Sequence, residues 1–144
     1  MPNTKTSSEN TATSKTMESN AEVVWKIYDA FRRADLKAAR ALLTDDVVWE
    51  LKGKSPLAGA YRGPDNVLGY FGQLMERSSG SFRIEMIDVA GGKEHGVSYN
   101  KASANRPGKH LDLTENLIFQ VHDGKIASVV QVAHDQYAWD TFWS

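Results

Sequence analysis

The apolar residues of this chain change their spacing at Phe82. Before that point they recur every three or four residues, and after it they alternate. A helical period cannot be satisfied by a strand, nor an alternating one by a helix, so most of the helix lies before this point and most of the sheet after it. Val23, Val24, Ile27, Tyr28, Phe31 and Ala34 predict a helix over about 21–33. Ser19 and Glu22 have the spacing of a capping box at its start. Asp35 can cap a second short helix carrying Leu36, Ala39 and Leu43. Thr44-Asp45-Asp46 turns the chain into a strand at 47–51, and a loop with Gly53, Pro56 and Gly59 follows. Gly63-Pro64-Asp65 opens another helix, with proline at its first turn where a missing N–H does no harm. Val67, Leu68, Phe71, Leu74 and Met75 form its apolar stripe, and Ser78-Ser79-Gly80-Ser81 ends it.

Beyond Phe82, Ile84 and Met86 alternate, then Ile87 and Val89 continue in the opposite phase, which is the mark of a β-bulge. Gly91-Gly92 and Asn105-Arg106-Pro107-Gly108 bound a strand over about 94–104. Asp123-Gly124 is a hairpin turn joining strands 109–121 and 125–134. Ala138 with Phe142, and Trp139 with Trp143, make a short amphipathic end. The order implies an α+β fold with the helices packed on one face of a curved, mostly antiparallel sheet.

Residues 1–19 differ in kind. Twelve of the first twenty residues are Ser, Thr or Asn, so a disordered polar tail is expected there, followed by a single domain over 20–144. The tail has neither the apolar centre of a secretory signal nor the arginines of a transit peptide, which makes the cytoplasm the expected location. Seventeen basic against eighteen acidic residues give a net charge of −1, which argues against nucleic acid and anionic membranes as partners. With no cysteine there is no thiolate nucleophile or thiolate metal site.

Three stretches carry a family resemblance: Pro56-Leu57-Ala58-Gly59-Ala60-Tyr61-Arg62-Gly63 before a helix, Val121-His122-Asp123-Gly124-Lys125-Ile126 at the last hairpin, and Asp135-Gln136-Tyr137-Ala138-Trp139-Asp140-Thr141-Phe142-Trp143 at the end. With the order of elements, they resemble the nuclear transport factor 2-like superfamily, in its SnoaL-like polyketide cyclase and ketosteroid isomerase-related branch. The resemblance implies a cone, in which a strongly bent sheet wraps an apolar pocket closed by the helices. It also implies a homodimer formed through the outer sheet face.

The strand over 109–121 is the most informative. Leu111, Leu113, Leu117, Phe119 and Val121 share one face, and Glu115 is the polar exception on it. A buried carboxylate must be paired, protonated or beside water, and burial in an apolar cone raises its pKa toward the range useful for acid/base chemistry. The alternative is a structural Glu bonded to an indole N–H or an arginine. Two hairpin registers are open. A two-residue turn puts Glu115 opposite Val132 and brings His134 to the inner face; a three-residue turn puts it opposite Gln131 and brings Asp135 there. The second gives Gln131 a polar neighbour and is preferred. Asp135 is the nearest match to the acidic proton-transfer group of the resembled cyclases, and it is also a good N-cap. His134 is a base coupled to Asp135 or a surface residue. Trp49, Tyr28, Tyr61 and Tyr99 could each donate to a ligand oxygen, whereas Leu117, Phe71, Leu74 and Met75 read as pocket wall or core.

Other chemistries find no support. Gly53-Lys54-Ser55 lacks the upstream glycine and strand-to-helix setting of a phosphate loop, because Val48 stands where that glycine belongs. His95, His110, His122 and His134 show no metal-ligand spacing. What remains is acid/base chemistry without cofactor or metal: an isomerase, cyclase or hydratase acting on a small apolar, oxygen-bearing molecule, with Glu115 or Asp135 moving the proton. The competing expectation is a non-catalytic ligand-binding or dimerisation module.

Overall fold

In the computed structural model, which describes residues 4–144, ten elements follow in order. They are α1 (Thr4–Arg32), α2 (Leu36–Ala41), β1 (Leu43–Leu51), β2 (Gly59–Arg62), α3 (Pro64–Arg77), β3 (Arg83–Gly91), β4 (His95–Arg106), β5 (Lys109–His122), β6 (Lys125–Ala133) and α4 (Gln136–Trp143). The strands form one curved sheet in the order β2-β1-β6-β5-β4-β3. Every pairing is antiparallel except β1 with β6, which is parallel. The period change at Phe82 therefore marks the passage from the helical half of the chain to the meander.

The helices lie on the concave face because the strands beneath them are built to receive them. Gly96, Ser98, Asn100, Ala102 and Ala104 present small residues on the buried face of β4. A Cβ added at Gly91 would lie 1.9 Å from the Met17 carbonyl oxygen, and one at Gly96 would lie 2.6 Å from Val24 Cγ2. Thus α1 rests directly on β3 and β4, and Asn20 fastens it by donating to the Gly92 and Lys93 carbonyls at 2.8 and 3.1 Å.

That packing corrects the expectation for the tail. Residues 4–19 continue α1, so Ser19 and Glu22 are interior positions and cap nothing. The side chains over 9–19 do lie mostly in solvent, as their composition demands. Helix continuation needs only backbone hydrogen bonds once a nucleus exists, and the turn held by Asn20 supplies one. The expected residues 1–3 of the tail lie outside the described residues.

Elsewhere local chemistry acts as expected. Asp35 caps α2 by accepting from the Ala38 N–H at 2.9 Å. Pro64 stands at the start of α3, and Ser79 and Gly80, both with positive φ, follow its end. The register of β3 against β4 shifts between Met86 and Asp88, so Ile87 is the bulged residue and is 52% exposed. Two expectations need adjusting: Leu43 begins β1 rather than ending α2, and the loop expected after β1 contains the four-residue edge strand β2. At the closing end, Trp139 and Trp143 bury against Phe82, and Phe142 packs edge-on to Trp143. Both indole N–H groups there lack a hydrogen-bond partner, at a cost of about 1–3 kcal/mol each, which the large ring areas buried offset.

The hairpin at Asp123-Gly124 adopts neither expected register. His122 pairs with Lys125, as in a two-residue turn, but the pairing slips between Gln120 and Val121. Leu117 consequently faces Gln131, and Glu115 faces Ala133. The inserted residue is Ala127, which restores Gln131 to the inner face although the turn itself is tight.

Candidate active site

Period two along β5 buries Leu111, Leu113, Glu115, Leu117, Phe119 and Val121 together, and Glu115 has no exposed surface. Its two oxygens are divided between two amides. Asn100 on β4, directly across the ladder, donates to Oε1 at 2.8 Å; Gln131 on β6 donates to Oε2 at 2.9 Å. Each amide is itself fixed. The Gln131 carbonyl accepts from Trp49 Nε1 at 3.1 Å and from the Tyr70 hydroxyl at 2.9 Å. The Asn100 carbonyl accepts from the Tyr28 hydroxyl at 3.0 Å and from Ser98 at 3.2 Å, and Tyr28 and Ser98 lie 3.0 Å apart. These donors leave each amide only its NH2 to offer the carboxylate, so the orientation is set by the network.

The electrostatic result is a balance. Burial removes Glu115 from water and lifts its pKa, the two amide donors favour the ionised form, and the outcome is a value near neutrality, from 4.5 up to about 7. Among the described residues, no arginine or lysine takes part in that balance. Tyr28 and Tyr70 are pushed well above the ordinary tyrosine value, first by burial and then by the Glu115 charge, so both stay neutral donors. A carboxylate can accept about four hydrogen bonds. Two are supplied by protein, which leaves acceptor capacity for a group arriving from the cavity.

That cavity has a volume of about 30 Å³ and is walled by Trp49, Tyr70, Phe71, Leu74 and Leu117 besides Glu115 and Gln131. It has room for roughly one or two waters. Ring packing explains the small size: Phe71 stands edge-on to Trp49 at 5.0 Å and to Phe31 at 5.3 Å. Outside it lies a groove of about 630 Å³. Tyr28, Phe31, Phe82 and Ile84 border both spaces.

Of the residues singled out from sequence, Glu115, Trp49, Tyr28, Gln131, Leu117 and Phe71 come together here. Three do not. Tyr99 is 41% exposed on the opposite face of β4, because it is one residue out of phase with Asn100. His134 lies on the same outer face, edge-on to Tyr99 at 5.8 Å, with its ring nitrogens 2.6 Å from Thr114 Oγ1 and 2.5 Å from Asn116 Oδ1. Asp135 is exposed and caps α4, accepting from the Ala138 N–H at 3.0 Å. β6 ends at Ala133, opposite Glu115, and the chain turns there into α4, so His134 and Asp135 fall outside the site although Asp135 has the same strand parity as Gln131. Tyr61 stacks on Tyr70, with ring centroids 4.7 Å apart, and donates its hydroxyl to the Leu57 carbonyl.

Sequence reasoning missed Asn100, Ser98 and Tyr70. The signal for the first two was present as a period-two row of small residues, Gly96 to Ala104, in which Asn100 takes the place that Glu115 takes on β5. Tyr70 fits the α3 stripe at the spacing of Val67, Phe71 and Leu74.

Comparison with known proteins agrees with the fold. Residues 24–129 match the SnoaL-like domain. An uncharacterized protein of Mycobacterium tuberculosis is 29% identical over 130 residues, covering 90% of this chain and 99% of its own. Among solved structures, Bal32a from a soil-derived mobile gene cassette superimposes with a TM-score of 0.86 at 28% identity, over 90% of this chain and 99% of that one. A nuclear transport factor 2-like protein from Burkholderia xenovorans shares the fold with a TM-score of 0.70 at 22% identity, over 89% of this chain and 98% of that one. Family match, sheet order and helix placement coincide, and the chain belongs to the SnoaL-like domain family, with the nuclear transport factor 2-like cone fold.

Proposed function

We propose that this protein binds a small apolar, oxygen-bearing molecule and moves a proton on it, with Glu115 as the base and Gln131 as a contact for the substrate oxygen. The carrying observation is a fully buried carboxylate that two amides hold in place and that no cation partners among the described residues, with burial lifting its pKa to about 7. A base with a pKa near the working pH combines a large ionised fraction with enough proton affinity to be useful. The reaction class is isomerase-, cyclase- or hydratase-like. Glu115 takes a proton from carbon beside a carbonyl, negative charge builds on that oxygen, and the proton returns at the same or another atom. Trp49, Tyr70 and Tyr28 spend their donors on the amides, so they orient the site instead of holding the oxyanion. Gln131 uses one amide N–H on Glu115 and keeps the second for the substrate.

The test is exchange of the α-protons of 2-tetralone, an apolar enolisable ketone, in deuterated water. The wild type should accelerate exchange, with a rate that rises with pH and levels off above about 7. Glu115→Gln should remove about 10²–10⁴ of that acceleration. Exchange that is equally fast in the variant would sink the proposal.

A second reading is a binding or dimerisation module without turnover, which the small inner cavity favours. Ile87, Val97, Tyr99 and Ile118 leave apolar surface exposed on the outer sheet face, which suits a homodimer. Ligand binding without exchange, unaffected by Glu115→Gln, would support this reading.

A further inference from the structure

The cavity at Glu115 is too small for any substrate of the proposed class, yet the groove beside it is some twenty times larger. Phe31 stands between the two, partly buried, edge-on to Phe71 at 5.3 Å and to Phe82 at 6.0 Å. A molecule whose reacting carbon meets Glu115 must therefore leave most of its body in the groove, with Phe31 displaced or flanking it.

The groove has its own chemistry. Trp25, Phe31, Met75, Ile84 and Met86 give it an apolar floor and wall. Its charged lining is Arg32, Arg83 and Asp29, a net of one positive charge. Asp29 is already engaged, by Arg32 at 2.6 Å and by Arg33 at 2.9 Å. Arg83 has no carboxylate partner among the described residues. One of its terminal nitrogens donates to the Gly80 and Phe82 carbonyls at 2.7 and 2.8 Å, which holds the guanidinium in place and leaves its remaining N–H groups free. A planar guanidinium fixed in this way beside an apolar wall is suited to a carboxylate carried on a ring system.

We infer that the groove between the end of α1 and the start of β3 is a binding site for a flat apolar acid, whose carboxylate pairs with Arg83 while its ring edge reaches past Phe31 toward Glu115. This rests on the proposed function only for the second contact. The test uses 2-naphthoate and its methyl ester, which share a ring system and differ in charge, titrated into the full chain by NMR. The acid should bind about tenfold more tightly than the ester, the worth of one charge-assisted contact. Arg83→Gln should bring the two affinities together, Arg83→Lys should restore part of the preference, and Arg32→Gln should change it less. Equal affinities in the wild type, a preference that survives Arg83→Gln, or no binding of either probe would overturn the inference. Glu115→Gln should abolish tetralone exchange yet keep the preference for the acid, so the two proposals can fail separately.

Discussion

Glu115 shows how one residue can be costly to the fold and useful in it. Its pKa is higher in the folded chain than in the unfolded one, so the native state holds more protons between about pH 4.5 and 7. Its contribution is complete below pH 4.5 and is lost as pH rises through about 7, a fall on the order of 3 kcal/mol. Denaturant melts of the wild type should therefore show stability declining across that interval, and Glu115→Gln should flatten the decline. Near pH 5 the variant should be less stable by about 1–3 kcal/mol, because a glutamine amide can accept from only one of the two donors facing it. Above pH 8 the gap should close or reverse. Asn100→Ala removes a donor that favours the charged form, so the Glu115 carboxyl carbon should titrate higher still when followed by NMR. An unchanged titration would mean that Asn100 does not hold the carboxylate in solution.

At the scale of elements, the bulge in β6 and the small-residue face of β4 decide the site. Asp135 illustrates the division of labour: it lies two residues past the end of β6, at the N-cap of α4, and its side chain closes the first turn of the helix. Asp135→Ala should cost about 1 kcal/mol of stability, as loss of an N-cap does, and should leave the titration of Glu115 unmoved. A shift in that titration would return Asp135 to the site. The contact of α1 with β3 offers a second check. Gly91→Ala places a methyl group against the Met17 carbonyl, a backbone atom that cannot step aside. A loss of about 1–3 kcal/mol is expected, with faster amide exchange over the N-terminal half of α1. Gly96→Ala meets a Val24 methyl at 2.6 Å and the Asn20 carbonyl oxygen at 3.3 Å, a milder clash than at Gly91 because the nearest atom belongs to a side chain, and should cost less.

At the scale of the molecule, the concave side is closed and the convex side is left apolar in part. If the outer face joins two copies, Ile118→Asp should convert a dimer to a monomer in sedimentation velocity while the Glu115 titration stays in place, since residue 118 faces away from residues 115 and 117. A wild type that sediments as a monomer at tens of micromolar would remove the dimer. Much of this architecture was legible in the sequence because it depends on local rules. Alternation buried the odd face of β5, proline and glycine bounded α3, and the phase slip after Met86 announced a bulge. Glu115 stood out as a polar residue on an apolar face, and its burial needed no coordinates. The sequence did not determine which side chains surround it, because partners on other strands depend on register, and one inserted residue at Ala127 reset the pairing of β5 with β6. Nor could composition report the course of α1, since a solvated helix is anchored by a few contacts near Asn20 and not by its own apolar content. Local periodicity settled what is buried, and the tertiary structure alone decided that Asn100 and Gln131, on the two strands flanking β5, meet at one carboxylate, because hydrogen bonds between strands are fixed by register and not by proximity in sequence.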